Sequence, residues 1–105
     1  MQKITFFSRF EADILSGKKT ITIRDHTESH FQVGQTLCVF TLETDRLFAH
    51  IKVKAVIPID FADLNRRHAI QENMRLDELK AVIRSIYPNP SKLFVIEFEL
   101  VDEPV

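Results

Sequence analysis

A strict alternation over residues 48–57 constrains this chain most. Ala49, Ile51, Val53 and Ala55 fall on one side of a period-two pattern, with His50, Lys52 and Lys54 on the other. Successive side chains of an extended strand point to opposite faces, so the run predicts a strand with one buried and one wet face. Residues 92–101 repeat the habit, setting Phe94, Ile96, Phe98 and Leu100 against Glu97 and Glu99. Shorter apolar or β-branched runs over residues 4–7, 20–24 and 36–42 predict three more strands.

Helical spacing separates them. Ser8 and Glu11 have the S-x-x-E spacing of a capping box, and Phe10, Ile14 and Leu15 form one stripe of a short helix that Gly17 would stop. Residues 25–35 are polar with a turn at Gly34, and Glu43-Thr44-Asp45-Arg46 reads as a hairpin. Pro58 is expected to close the long strand, and Asp60 to cap a helix that carries Phe61, Leu64 and His68 towards Gln71, with Glu72 at its end. Leu76, Leu79, Ile83 and Ile86 then mark an amphipathic helix that Pro88 ends after Tyr87; Asn73 is a candidate cap and Arg75 a poor one. The order β-α-β-β-β-α-α-β predicts an α+β fold, a small β-barrel with about three flanking helices.

At 105 residues the chain is expected to be a single domain, 1–105, with one core. Its net charge of −1 argues against proteins that grip long nucleic acid by neutralising many phosphates. Cys38 is the only cysteine, which rules out an intrachain disulfide or a cysteine metal cluster. No apolar run is long enough for a membrane helix or a signal peptide, so a cytoplasmic location is expected.

Chemistry concentrates in Gly17-Lys18-Lys19-Thr20-Ile21-Thr22-Ile23-Arg24. Ile21 and Ile23 share one strand face, which puts Thr20, Thr22 and Arg24 on the other. Strand geometry alone would send Lys19 away from Thr22, so any pairing of the two requires a loop after Gly17. Lys, Thr and Arg are also ordinary surface residues, and threonine favours strands without any catalytic role.

The spacing Gly17-x-Lys19-x-x-Thr22-x-Arg24 resembles the signature of ASCH domains. The whole chain resembles the small bacterial ASCH-domain amidohydrolases that remove the acetyl group from N(4)-acetylcytidine. The likeness runs through Ile4-Thr5-Phe6-Phe7, residues 20–25 and Glu28-Ser29-His30-Phe31, then His68-Ala69, Gln71-Glu72-Asn73-Met74, Ile86-Tyr87-Pro88 and Val95-Ile96-Glu97-Phe98. It implies a PUA-like barrel, a modified nucleoside as substrate, no cofactor, and catalytic roles for Lys19, Thr22 and Glu72. Thr22 would be the nucleophile and Lys19 its base, in the manner of Ser-Lys hydrolases. A lysine base must lose its proton, for which Arg24 and burial would lower its pKa while Glu72 would raise it. Lys19 as oxyanion donor with Glu72 activating water therefore stays open, and Arg24 is read either as substrate-binding or as one side of an ion pair with Asp25 or Glu72.

Other residues invite plainer readings. His26, Glu28 and His30 have a spacing that would suit a metal only on a helix, and their segment lacks helical periodicity, so no metal is expected. His30 and Phe31 are expected as pocket wall or loop packing, and His50, His68 and Cys38 as structural, with His68 the better placed to support Glu72. Phe6 and Phe7 are core packing by default, with a surface for a base the alternative for one of them. The alternative function is an RNA-binding PUA-like module without catalysis, with weak RNA affinity through Lys19 and Arg24. No membrane partner is expected, and the sequence sets no oligomeric state.

Overall fold

The computed structural model describes residues 2–28, 30–90 and 92–102. Ser29, within the run Glu28-Ser29-His30-Phe31, lies outside the described residues. The elements follow the expected order: β1 (Gln2–Phe6), α1 (Glu11–Leu15), β2 (Ile21–Arg24), β3 (Thr36–Thr41), β4 (Leu47–Asp60), α2 (Arg66–Gln71), α3 (Leu76–Ile86) and β5 (Lys92–Val101), with 3₁₀ turns at Ser8–Phe10, His26–Glu28 and Phe61–Asp63. The five strands form one sheet in the order β1-β3-β4-β5-β2. Only β1 and β3 are parallel; β3–β4, β4–β5 and β5–β2 are antiparallel. The outermost strands, β1 and β2, are joined by a side chain: Arg24 Nη2 donates to the Thr5 carbonyl at 2.8 Å. The sheet thus curls into a barrel whose last seam has a guanidinium where a ladder would run.

Two apolar clusters fill the two sides of this sheet. One gathers Ile4, Phe6, Ile14, Leu37, Val39, Ile51, Val53, Ile96 and Phe98. The other packs Ile21, Ile23, Leu93 and Val95 beneath Ala69, Leu79 and Ile83 of α2 and α3. Strand β5 serves both, because Val95 and Ile96 are adjacent, oppositely directed and both buried. Full burial of such a side chain contributes roughly 1.5–3 kcal/mol, so the pattern of these residues alone fixes strand register.

Several local expectations fail for identifiable reasons. The Ser8–Glu11 box does not form: Ser8 N and Oγ both donate to the Glu43 carboxylate, at 2.8 and 2.9 Å, while Glu11 pairs with Arg46. Two charge-assisted bonds from the hairpin outcompete one local cap. Leu15 is exposed, since α1 is only five residues long and Ile14 alone fills its buried position. Pro58 does not end β4. Beyond Val53, whose carbonyl and N–H still bond Gly34 and Gln35, that strand has lost β3 as a neighbour and continues against β5. Pro58 lies opposite Phe94, an edge position at which a proline is tolerated. A register shift between Val53 and Ala55 also reverses the alternation, leaving Ile57 exposed while Val56 packs on the core. Leu100, near the end of β5, is exposed as well.

Asp60 caps no α-helix; a 3₁₀ turn follows it, and α2 begins after Asn65, whose Oδ1 accepts from Arg67 N at 2.9 Å. His68 Nδ1 accepts from Asn65 N at 3.2 Å, so His68 serves this cap. Asn73 ends α2 instead of starting α3, which opens at Arg75 with Glu78 accepting its N–H at 3.4 Å. No helix among the described residues is long and apolar enough to cross a membrane.

Candidate active site

Helices α1 and α2 finish in the same way, and this builds the site. After α1, Gly17 takes φ +78°, Gly17 N donates to Ile14 O and Lys18 N to Asp13 O. After α2, Asn73 takes φ +58°, Asn73 N donates to Ile70 O and Met74 N to Ala69 O. Both are Schellman endings, which reverse the chain by means of a residue that tolerates the left-handed region, glycine or asparagine. The two are then tied together. Thr20 N donates to Gln71 O at 2.8 Å, and Asn73 Nδ2 to Asp13 Oδ1 at 3.1 Å. Lys19 leaves one ending and Glu72 caps the other, so the ties bring their side chains into contact.

The pair is deeply buried. Lys19 is 3% exposed and Glu72 6%, and Glu72 Oε1 meets Lys19 Nζ with no hydrogen-bond partner beyond it among the described residues. Burial, with the charge of Arg24 adding to it, pulls the Lys19 pKa down from 10.5 to about 7 against the pull of Asp13. Aromatic faces partly replace the lost water: Nζ lies 5.0 Å from the Phe10 ring centre and 5.7 Å from that of Phe6. The amine and ammonium forms are thus close in free energy near neutral pH.

Thr22 is also buried, on the face of β2 opposite Ile21 and Ile23, as its alternation predicts. Its Oγ1 accepts from Arg24 Nε at 2.9 Å. Arg24 is held on three sides, by Thr22, by the Thr5 carbonyl and by an ion pair from Nη1 to Glu28. The loop after Gly17 brings Lys19 to the same cavity as Thr22. That cavity, about 200 Å³, gathers Lys19, Thr22, Arg24 and Glu72 with Phe6, Phe7 and Phe10 on one side and Val82, Ile86 and Tyr87 of the α3 end on the other.

Glu28 and Tyr87 line the cavity as well. Glu28, which the sequence suggests only for a metal spacing, takes the ion pair with Arg24 expected of Asp25 or Glu72, and the sequence assigns Tyr87 no role. The four-residue spacing from Arg24 to Glu28 was a usable signal for an ion pair, but the 3₁₀ turn that closes it was not legible. Phe31 is instead in the core, with the His30 ring tilted against it and the ring centres 4.5 Å apart, and neither lines the cavity. Phe6 and Phe7 both face it, although they are sequence neighbours, because the chain turns out of β1 between them. Among the described residues no three His, Cys, Asp or Glu side chains are grouped to hold a metal ion.

The geometry is an apolar cleft with an ionisable pair at its base and a hydroxyl beside a guanidinium, which suits acyl transfer from a small planar amide. Residues 2–102 match the ASCH domain family. The N(4)-acetylcytidine amidohydrolase of Pasteurella multocida is 62% identical over 100 residues, covering 95% of this chain and 96% of that one. That of Vibrio vulnificus strain YJ016 is 57% identical over 99 residues, covering 94% and 95%. Among solved structures, protein EF3133 of Enterococcus faecalis V583 superposes with a TM-score of 0.79 at 19% identity, covering 97% of this chain and 77% of its own. The ASCH domain of Lactobacillus crispatus JV V101 gives 0.78 at 12% identity, covering 94% and 79%. These likenesses speak for the fold, the sequence relatives for the family.

Proposed function

The chain belongs to the ASCH-domain family, and we propose how its cavity performs the reaction named in its sequence relatives, hydrolysis of N(4)-acetylcytidine to cytidine and acetate. It is an amidohydrolase, acting on a carbon–nitrogen amide bond. One observation carries the mechanism: a buried Lys19–Glu72 pair shares one cleft with the Thr22 hydroxyl.

Thr22 Oγ1 attacks the acetyl carbon, and its proton passes to the free amine of Lys19. Arg24 Nε, bonded to Oγ1, steadies that oxygen as it gains negative charge. When the tetrahedral intermediate collapses, the bond from carbon to N4 breaks and Lys19 returns the proton to N4, releasing cytidine and leaving acetyl-Thr22. Water then attacks the ester, gives a proton to Lys19, and frees acetate with the Thr22 hydroxyl restored. Glu72 holds Nζ in place and offers a second seat for the proton. A lowered Lys19 pKa makes this exchange feasible at neutral pH.

The direct Glu72 contact supports a second reading, in which Lys19 stays an ammonium and donates to the oxyanion while Glu72 activates water. A mass increase of one acetyl group on Thr22 during turnover belongs only to the first. In the pyrimidine ring N1 lies opposite C4, so with the acetyl group at the base of the cavity the sugar faces its mouth. The site therefore takes the base end of a small nucleoside. Its two cations are already ion-paired, which leaves RNA affinity weak.

The test is incubation with N(4)-acetylcytidine beside a folded Lys19→Ala variant. Cytidine and acetate appear with the parent and not with the variant. Salt-dependent RNA affinity with no release would instead establish a binding module.

A further inference from the structure

Polar groups in the cavity differ in depth and in how far they are already committed. Lys19 and Glu72, at the base, are committed to each other. Arg24 spends bonds on Thr22, Thr5 and Glu28. Tyr87 stands apart. It lies one residue beyond α3, where the chain has left helical geometry at φ −122° and ψ 96°, and it lines the cavity half-buried, nearer solvent than Lys19 or Thr22. Its backbone N–H donates to Ile83 O at 2.8 Å and its ring packs on the cluster beneath α3, so the side chain is held in place.

We propose that the Tyr87 hydroxyl determines specificity, by donating a hydrogen bond to the acceptor edge of the cytosine ring, N3 and O2. This rests on the amidohydrolase reading of the same cavity. With the acetylated N4 at the Lys19–Glu72 pair, N3 and O2 come next along the edge of the ring and lie at an intermediate depth. Both are acceptors, and the cavity must supply a donor there or leave them desolvated and unpaired. The Asp25 backbone pulls the phenol pKa down. Burial, the largest influence, nevertheless raises the pKa above 10, so the group stays protonated at neutral pH. An N6-acylated adenine has a C–H where cytosine has the O2 carbonyl, and so offers the Tyr87 hydroxyl one acceptor fewer.

The experiment compares the parent with Tyr87→Phe, which removes one oxygen and keeps the ring. KM for N(4)-acetylcytidine is expected to rise about five- to tenfold with kcat little changed, the loss of one neutral hydrogen bond. The dissociation constant of cytidine, measured calorimetrically, should rise by the same factor, because the product keeps N3 and O2. Unchanged KM and cytidine affinity would overturn the proposal, as would a fall in kcat alone, which would move Tyr87 into the chemical step. If the parent bound cytidine but released no acetate, the hydrolase reading would fail, and the cytidine titration would still decide the role of Tyr87. Thermal melting alongside the parent checks that the variant is folded.

Discussion

Two ion pairs share one cavity and behave differently. Lys19 and Glu72 come from loops far apart in sequence and meet out of contact with water. Arg24 and Glu28 are four residues apart, and the Glu28 carboxylate reaches solvent. Burial lowers the first cation towards neutrality, whereas a guanidinium keeps its charge at any working pH. The first pair is therefore suited to moving protons, and the second to holding Thr22 and the barrel seam in place. Similar charges perform opposite tasks because one pair has lost its water.

Removing either member of the deep pair should break this contrast most severely. Lys19→Ala and Glu72→Gln are each expected to lower kcat/KM for N(4)-acetylcytidine by about a thousandfold or more, as measured by acetate release. Lys19→Arg sharpens the point: if Lys19 is the base, arginine is as inactive as alanine, and substantial activity in that variant would assign Lys19 to oxyanion binding. Thr22→Ala should lose about a hundred- to a thousandfold with no acyl intermediate, while Thr22→Ser keeps activity. Equal rates for Thr22→Ala and the parent would transfer the attack to water.

Acidity separates the pairs next. A base that must be unprotonated makes kcat/KM rise as pH rises through about 7, the Lys19 value. Stability follows the same group. Its folded pKa lies below the unfolded 10.5, so between about 7 and 10.5 the unfolded chain binds more protons and stability rises with pH; below 7 the cost of the buried ammonium is fully present. Urea unfolding of the parent across that window should show the slope. Replacing both partners, as Lys19→Met with Glu72→Leu, should abolish that slope and leave the protein inactive but at least as stable as the parent. Below about pH 7, where Lys19 is an ammonium, losing Glu72 alone should cost about 3–5 kcal/mol, since it leaves that buried cation unpaired.

The outer pair should give the smallest effects. Glu28→Gln is expected to cost about 1 kcal/mol or less in thermal melting and to change turnover only modestly, more so at low salt. A loss comparable to that of Glu72 would show that Arg24 needs its carboxylate to orient Thr22.

The alternation in residues 48–57 predicted β4, and the isoleucines at 21 and 23 correctly put Thr22 and Arg24 on a shared face. Gly17 and the apolar spacing of α3 marked real boundaries. The expectations that failed depended on distant partners. Ser8 turned to Glu43, Pro58 survived inside a strand because β3 had ended, and Asn73 became a helix terminus. His68, by contrast, is structural and close to Glu72 as expected: it caps the helix that Glu72 ends. Among the site residues, Lys19, Thr22, Arg24 and Glu72 do line one cavity, but Glu72 was chosen by family resemblance, since no periodicity connects it to Lys19.

The sequence by itself determined the periodic properties: strand against helix, which face of β2 is apolar, the order of the elements, and a nearly neutral charge that disfavours gripping a long polyanion. Periodicity is a local property, set by backbone geometry and burial over a few residues. Only the tertiary structure decided that two helix endings, tied by Thr20 to Gln71 and by Asn73 to Asp13, press a lysine and a glutamate together away from water. A pKa depends on what surrounds a group in three dimensions, and here the loss of water around Lys19 turns an ordinary cation into one that can give up its proton.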